Sequence, residues 1–269
     1  MTFDDAELVP QSIPWCERLA QTQRGYFYDW SSTLEPGNGE DLYTELVDRE
    51  LRPSLDVVDA GCGHGLDVLR IAPKVRSALG YDRISAFIDL AEQERRARGI
   101  ENARFVCADS KPAGIPVAPR TVDLFVSRRG PRNWIGDARR AGRPGAILLM
   151  LCPIDGEAPA WNDELPEVLR FPSLAADHPT RLEVTTGDIR ARLRESRGEL
   201  THEWYCEVDE LFPDAYQLYR HRTWGRDGRR VPAYEPCAAA FERLFARHAS
   251  QGGLRLRHRR WIWRAVLGR

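Results

Sequence analysis

With 269 residues, 42% of them hydrophobic, the chain is long enough to bury a full core, as one large domain or as one domain with an elaborated cap, the second being favoured. A formal net charge of -1 gives no global field to attract nucleic acid or an anionic membrane. No apolar run reaches the roughly 18 residues of a membrane span, and residues 1–10 are acidic, unlike a basic signal sequence, so no membrane partner and a cytoplasmic location are expected.

The six cysteines, Cys16, Cys62, Cys107, Cys152, Cys206 and Cys237, are scattered without a C-x-x-C pair. That spacing argues against a disulfide scaffold and against a bound metal. Residues 14–30 are rich in aromatics, including Tyr26, Tyr28 and Trp30, and 31–38 are turn-rich. The pattern from Gly39 to Leu51 predicts a helix with Leu42, Leu46 and Leu51 inward. A short apolar run from Leu55 to Asp59 then breaks into Gly61-Cys62-Gly63-His64-Gly65, a buried strand turning tightly into a helix over 66–72. A nicotinamide or flavin loop needs a glycine five residues after its first, and Leu66 stands there, so that fingerprint fails.

A second run, 78–82, ends in Asp82 about twenty residues past the first loop, where nucleotide-binding sheets place a ribose-binding acid. A helix with Ile84, Phe87, Ile88 and Ala91 on one face is expected over 84–99. Residues 104–110 repeat the strand pattern and end in Asp109 and Ser110, and Val122–Ser127 and Ala146–Cys152 supply two further strands. Arg128 and Arg129 follow the fourth strand, where guanidinium groups suit a carboxylate or phosphate. The alternative is pairing with a nearby acid such as Asp82 or Asp109. Residues 153–183 read as an irregular, proline-containing connection, a candidate lid with Trp161, Phe171 and His178. A helix from Thr186 or Asp188 to about Arg197, a strand over 200–212, a mostly helical stretch over 213–250 broken at 225–232, and a last strand over 254–267 complete the chain. In that last strand arginines alternate with apolar residues. The pattern is suggestive of RNA-binding segments, but the favoured reading is a half-exposed antiparallel strand whose charges pair with Glu203, Glu207, Asp209 and Glu210.

The succession Asp59-x-Gly61-x-Gly63-x-Gly65, Asp82, Asp109-Ser110 and five strands in order resembles the class I S-adenosylmethionine (SAM) methyltransferases, in particular bacterial small-molecule enzymes. The resemblance covers residues 54–152 by motif and the rest by topology. It implies an α/β fold: a doubly wound, Rossmann-like, mostly parallel seven-stranded sheet with helices on both faces, an N-terminal helical arm over 1–50, a methyltransferase domain over 51–269, and a substrate-covering insertion at about 210–252. It implies SAM as cofactor, S-adenosylhomocysteine as product, no metal, and cofactor contacts at Asp59, Gly61, Cys62, Gly63, Gly65, Asp82, Arg83, Asp109, Ser110 and Ser127. In similar enzymes the N-terminal segment and the insertion cover the site, which makes Tyr26, Tyr28, Trp30, His202, Tyr216 and His221 candidates to line it.

The fourth-strand sequence Ser-Arg-Arg-Gly-Pro-Arg-Asn lacks the Asn- or Asp-Pro-Pro-aromatic motif of nucleic-acid amino methyltransferases, which argues against N6-adenine and N4-cytosine as targets. Methyl transfer to an ionised or unprotonated acceptor needs no base; a hydroxyl acceptor does, and His64, His178, His202 and His221 are candidates, His64 the best placed. His64, Arg128 and Arg129 are the catalytic candidates. The leading expectation is methylation of a small, anionic metabolite. An rRNA or tRNA base methyltransferase and a SAM-binding protein without transferase activity are the alternatives. Oligomeric state is not legible.

Overall fold

Strands buried along nearly their whole length belong in the middle of a parallel sheet covered on both faces, and Val122–Arg128, with five of seven residues buried, is such a strand. The chain is seen in a computed structural model that describes residues 12–23, 25–155, 158–172, 180–226 and 231–268. Its elements are α1 (Ile13–Gln23), β1 (Thr33–Leu34), α2 (Gly39–Glu50), β2 (Asp56–Ala60), α3 (Leu66–Ile71), β3 (Ser77–Asp82), α4 (Ser85–Ala97), β4 (Ala103–Cys107), α5 (Ser110–Ala113), β5 (Val122–Arg128), α6 (Ala138–Ala141), β6 (Gly142–Pro153), α7 (Arg181–Glu195), β7 (Gly198–Phe212), α8 (Ala215–Thr223), α9 (Tyr234–His248) and β8 (Leu254–Leu267), with 3-10 turns at Asn133–Asp137, Asn162–Glu164 and Glu167–Leu169.

Strand neighbours run β1-β7-β8-β6-β5-β2-β3-β4. The run from β6 to β4 is parallel, β8 is antiparallel to β6, and β1 is antiparallel to β7. The eighth strand is the two-residue β1, in which Thr33 faces Leu211 and Leu34 faces Glu210. Two residues are too few to show an alternation, so this stretch reads as turn in the sequence. α7 begins five residues before the earlier of its two expected starts. A capping box at Thr180 and Glu183 sets that start: Glu183 N–H donates to Thr180 Oγ1 at 3.2 Å and Thr180 N–H to Glu183 Oε2 at 2.8 Å, satisfying two helix-end amides reciprocally.

The described residues divide into two compact units. The second comprises those of Gly39–Asp155, Pro179–Cys206 and Arg259–Arg269 and holds the parallel sheet between two apolar layers. One layer contains Phe125, Trp134, Trp261 and Trp263, the other Tyr43, Leu69, Ile71 and Phe105. α2 belongs to this unit, although residues 39–50 were expected in the N-terminal arm. Its buried residues include Tyr43 and Val47, and the Tyr43 hydroxyl accepts the Ser127 amide at 3.0 Å.

The first unit comprises the described residues of Met1–Asn38, Gly156–His178 and Glu207–His258. Its core joins Trp161, Leu165 and Leu169 to Phe212, Leu218, Phe241 and Leu244. Much of the connection after β6, expected as a lid, therefore supplies core side chains to this unit. No helix among the described residues is long and apolar enough to cross a membrane.

Tyr43→Phe removes the acceptor of a buried backbone N–H. The expected loss is about 1 to 3 kcal/mol, read as a lowered midpoint in urea denaturation; an unchanged midpoint would show that the bond contributes nothing.

Candidate cofactor and active site

The parallel strands β2, β3, β4 and β5 end at one edge of the sheet, where ligands of doubly wound folds bind. At the tip of β2 the chain turns toward β3: Gly61 N–H and Cys62 N–H both donate to Tyr81 O, at 2.9 and 3.0 Å, and Gly63 N–H donates to Asp82 Oδ2 at 3.0 Å. Gly65, at φ 84°, caps the N-terminus of α3. A methyl group on Gly65 would come within 2.6 Å of the Phe105 ring, and one on Gly61 within 2.4 Å of Pro131 Cδ, so both positions exclude side chains by packing. Gly63 differs. It has φ 53°, and open space lies where its Cβ would be, so this backbone face is accessible to a ligand.

Asp82 is half-buried, with Oδ1 accepting Ile84 N–H at 3.0 Å and Oδ2 accepting Gly63 N–H. Burial raises its pKa in spite of those amide bonds. Asp109 caps α5 by accepting Lys111 N–H at 2.8 Å. Ser110 is buried, and its hydroxyl accepts Asn133 Nδ2 at 3.0 Å. Asn133 was missed in the sequence because the stretch after the fourth strand was read only against the nucleic-acid motif, and only the fold brings the start of the 3-10 turn Asn133–Asp137 to α5. Gly130 was missed for the same reason: its Cβ would meet Ser127 Oγ at 2.4 Å and Ala60 O at 2.5 Å. Arg83 is exposed beside Asp82, and the Cys62 thiol, pushed up in pKa by burial, packs in the core beneath the loop. His64 is half-buried, and burial lowers its pKa, so its imidazole is neutral at neutral pH.

Three expected site residues take structural roles. Ser127 is fully buried, and its hydroxyl donates to Ala60 O at 2.7 Å, which ties β5 to β2. Asp59 is buried at the tip of β2, its pKa pushed well up by burial and then by Asp67. Arg128 is no substrate clamp. Its Nε donates to Asp67 Oδ2 at 2.8 Å, Nη1 to Glu40 Oε2 at 3.0 Å and Nη2 to Thr44 Oγ1 at 2.8 Å, with the Tyr43 ring 4.7 Å away. Its partners are the first turns of α2 and α3, not the acids Asp82 and Asp109 named from the sequence. Burial opposes ionisation of Glu40 and Asp67, yet the arginines hold both pKa values below the usual range. Arg129 adopts φ 57° and approaches Glu40 Oε1 at 3.7 Å.

Other candidates lie elsewhere. His202 is exposed on β7, stacked on Trp204 at 5.5 Å, and His178 lies outside the described residues. In the first unit Tyr26, Tyr28, Trp30 and Trp224 pack together, with centroids 4.4 Å apart for Tyr28 and Trp30 and 5.8 Å for Trp30 and Trp224. His221 joins them 4.7 Å from Trp30. Tyr216, 46% exposed, packs 5.0 Å from Tyr234. Trp30 Nε1 donates to the buried Glu210 carboxylate at 2.8 Å.

Residues 57–143, the segment holding this sheet edge, match the family described as a methyltransferase domain. They form a class I, SAM-dependent methyltransferase domain. The chain is 28% identical over 111 residues to the uncharacterized methyltransferase YcgJ of Bacillus subtilis, covering 41% of this chain and 43% of that protein. It is 33% identical over 131 residues to the 2-heptyl-1-hydroxyquinolin-4(1H)-one methyltransferase of Mycobacteroides abscessus, covering 42% of this chain and 56% of that protein. The chain thus spans about half the length of these curated relatives. A functionally unknown protein from Deinococcus radiodurans R1 shares the fold at TM-score 0.63 and 22% identity, over 93% of this chain and 97% of that one. The open face at Gly63, the two-oxygen acceptor at Asp82 and the acid at Asp109 fit SAM.

Asp82→Ala is expected to weaken SAM binding about tenfold to a hundredfold, the worth of a charge-assisted hydrogen bond, as measured by calorimetry. Because the Asp82 pKa is raised and the charged form is the stronger acceptor, wild-type affinity falls on acidification at a pH above that of an ordinary aspartate; unchanged affinity in the variant removes Asp82 from the site. Arg128→Met leaves Glu40 and Asp67 without their shared guanidinium, and a loss of about 2 to 4 kcal/mol is expected in thermal or urea unfolding.

Proposed function

We propose that this protein transfers the methyl group of SAM to a small-molecule acceptor bearing an anionic group. The observation that carries the reading is the loop at 61–65, where an accessible backbone face at Gly63 adjoins the Asp82 carboxylate at the carboxyl edge of a parallel sheet. The Mycobacteroides abscessus relative is named for a small-molecule acceptor, which supports the same class.

SAM, when bound, supplies an electrophilic methyl group on a sulfonium. The chain's part is to hold and orient. Gly61, Cys62, Gly63 and Gly65 form the turn on which the cofactor rests, Asp82 accepts from its ribose hydroxyls, and Asp109 and Ser110 border its adenine. Catalysis of such a displacement lies mostly in positioning the reactants. An acceptor already ionised or unprotonated needs no base. For a hydroxyl acceptor, His64, kept neutral by burial, is placed in the loop to take the proton.

The arginines of β8, on which an RNA-binding reading would depend, are met by acids. Arg257 pairs with Asp209 at 2.7 Å, Arg260 with Asp155 at 2.9 Å and Arg264 with Glu50 at 2.7 Å. That pairing favours the small-molecule acceptor over RNA.

Incubation of the protein with methyl-labelled SAM and fractionated metabolite and RNA extracts is expected to label a small molecule. Label confined to RNA, or to no fraction while SAM still binds, would falsify the proposal.

A further inference from the structure

α5 is four residues long, and an isolated helix of fewer than about 12 residues is marginal in water. Yet its first residue, Ser110, and the acid before it are the ones that border the adenine in the reading above. What holds them comes from beyond β5. Asn133, which opens the 3-10 turn Asn133–Asp137, donates from Nδ2 to Ser110 Oγ at 3.0 Å. Asp137, which closes the same turn, accepts Ile115 N–H at 2.8 Å through Oδ2. The turn therefore grips the short helix near both its ends.

The turn is itself firmly set. Trp134 and Ile135 are fully buried, and the Trp134 ring stacks on Phe125 with centroids 5.8 Å apart. Arg140 holds Asp137 twice, Nε to Oδ1 at 2.8 Å and Nη2 to Oδ2 at 2.6 Å, and Nη2 also reaches Ile115 O at 2.6 Å. A close-packed interior transmits position rather than absorbing it, so the place of the turn fixes the place of α5.

The residues just before the turn meet the glycine loop. A Cβ on Gly130 would come within 2.5 Å of Ala60 O, and one on Gly61 within 2.4 Å of Pro131 Cδ. Residues 130–137 thus touch the loop after β2 at one end and α5 at the other. One braced segment sets the distance between the two.

Ser110 follows Asp109 directly, so fixing Ser110 fixes the backbone from which the Asp109 carboxylate projects. Asp109 Oδ1 accepts Lys111 N–H at 2.8 Å, which leaves Oδ2 for a ligand. An ionised carboxylate only accepts hydrogen bonds. It can take one from the exocyclic amine of adenine, but it meets a second acceptor in hypoxanthine, where a carbonyl oxygen replaces that amine. A site built to hydrogen-bond one group rejects an analogue lacking it strongly, provided the site is held in place.

We propose that Asn133 is a positioning residue for cofactor recognition: acting through Ser110, it holds the Asp109 carboxylate where it selects adenine over hypoxanthine. The proposal rests on the SAM reading above and deepens it, adding a residue that touches no cofactor atom to those that do.

The test is calorimetric titration of the full chain with S-adenosylhomocysteine and S-inosylhomocysteine. The wild type is expected to bind the adenosyl compound at least tenfold more tightly. Asn133→Leu and Ser110→Ala are each expected to narrow that ratio at least threefold, and the double variant no further than either alone, because both remove the same bond. A purely structural role would lower the melting temperature and leave the ratio untouched. An Asn133→Leu protein that binds the adenosyl compound with the wild-type ratio therefore overturns the proposal. So does a wild type that binds both compounds equally. Should Asn133→Leu fail to fold, Ser110→Ala decides, and an unchanged ratio there is likewise fatal. A wild type that binds neither compound overturns the SAM reading together with this one, which distinguishes that failure from the loss of base selectivity alone.

Discussion

Three consecutive amides, those of Gly61, Cys62 and Gly63, turn from the end of β2 onto the end of β3, two to the Tyr81 carbonyl and one to the Asp82 carboxylate. This is the constraint on which the site depends. It fixes the loop with positive φ at Gly61, Gly63 and Gly65, which side chains disfavour. It also aligns Asp82 with the one glycine whose outer face stays open. The hydrogen bond between the Gly63 amide and the Asp82 carboxylate means that the glycine loop and the tip of β3 are held to each other before any ligand arrives.

Around that loop the protein invests charge in bracing. Arg128 joins the first turn of α3, directly after the glycines, to the first turn of α2 through Asp67 and Glu40. Arg260 reaches the same Glu40 and Asp155. Such buried pairs contribute little net stability when whole, but their loss is costly because the partner is left charged and dry. Placing one at the start of the cofactor helix therefore fixes its position more than it strengthens the fold. The arginines after the fourth strand read as a substrate clamp from sequence because a guanidinium near a ligand edge is costly unless paired. The fold pairs them with acids that lie 88 and 61 residues away in the chain.

The first unit is built differently. Its core mixes leucines with Trp161, Phe212 and Phe241, and one of its buried carboxylates, Glu210, is shared by Trp30, Ser32 and His258, which hold its pKa near 2 although burial opposes this. An acid so fully engaged stays ionised and is a poor proton acceptor.

The sequence alone determined the five successive strands between residues 55 and 152, the strand-loop-helix of the glycine motif, the acid at the tip of β3 and the last strand at Leu254–Leu267, because each is a local pattern: apolar runs, glycines at fixed spacing, an acid at a strand tip. It left open where Arg128 and Ser127 point, since side chains of those types serve a ligand or a scaffold equally well and the choice rests on partners distant in the chain. Tertiary structure decided that Ser127 bonds the Ala60 carbonyl and that Arg128 finds two acids. The physical reason is that backbone conformation is written in near neighbours, whereas the neutralisation of a buried charge depends on what the fold happens to bring within 3 to 4 Å of it.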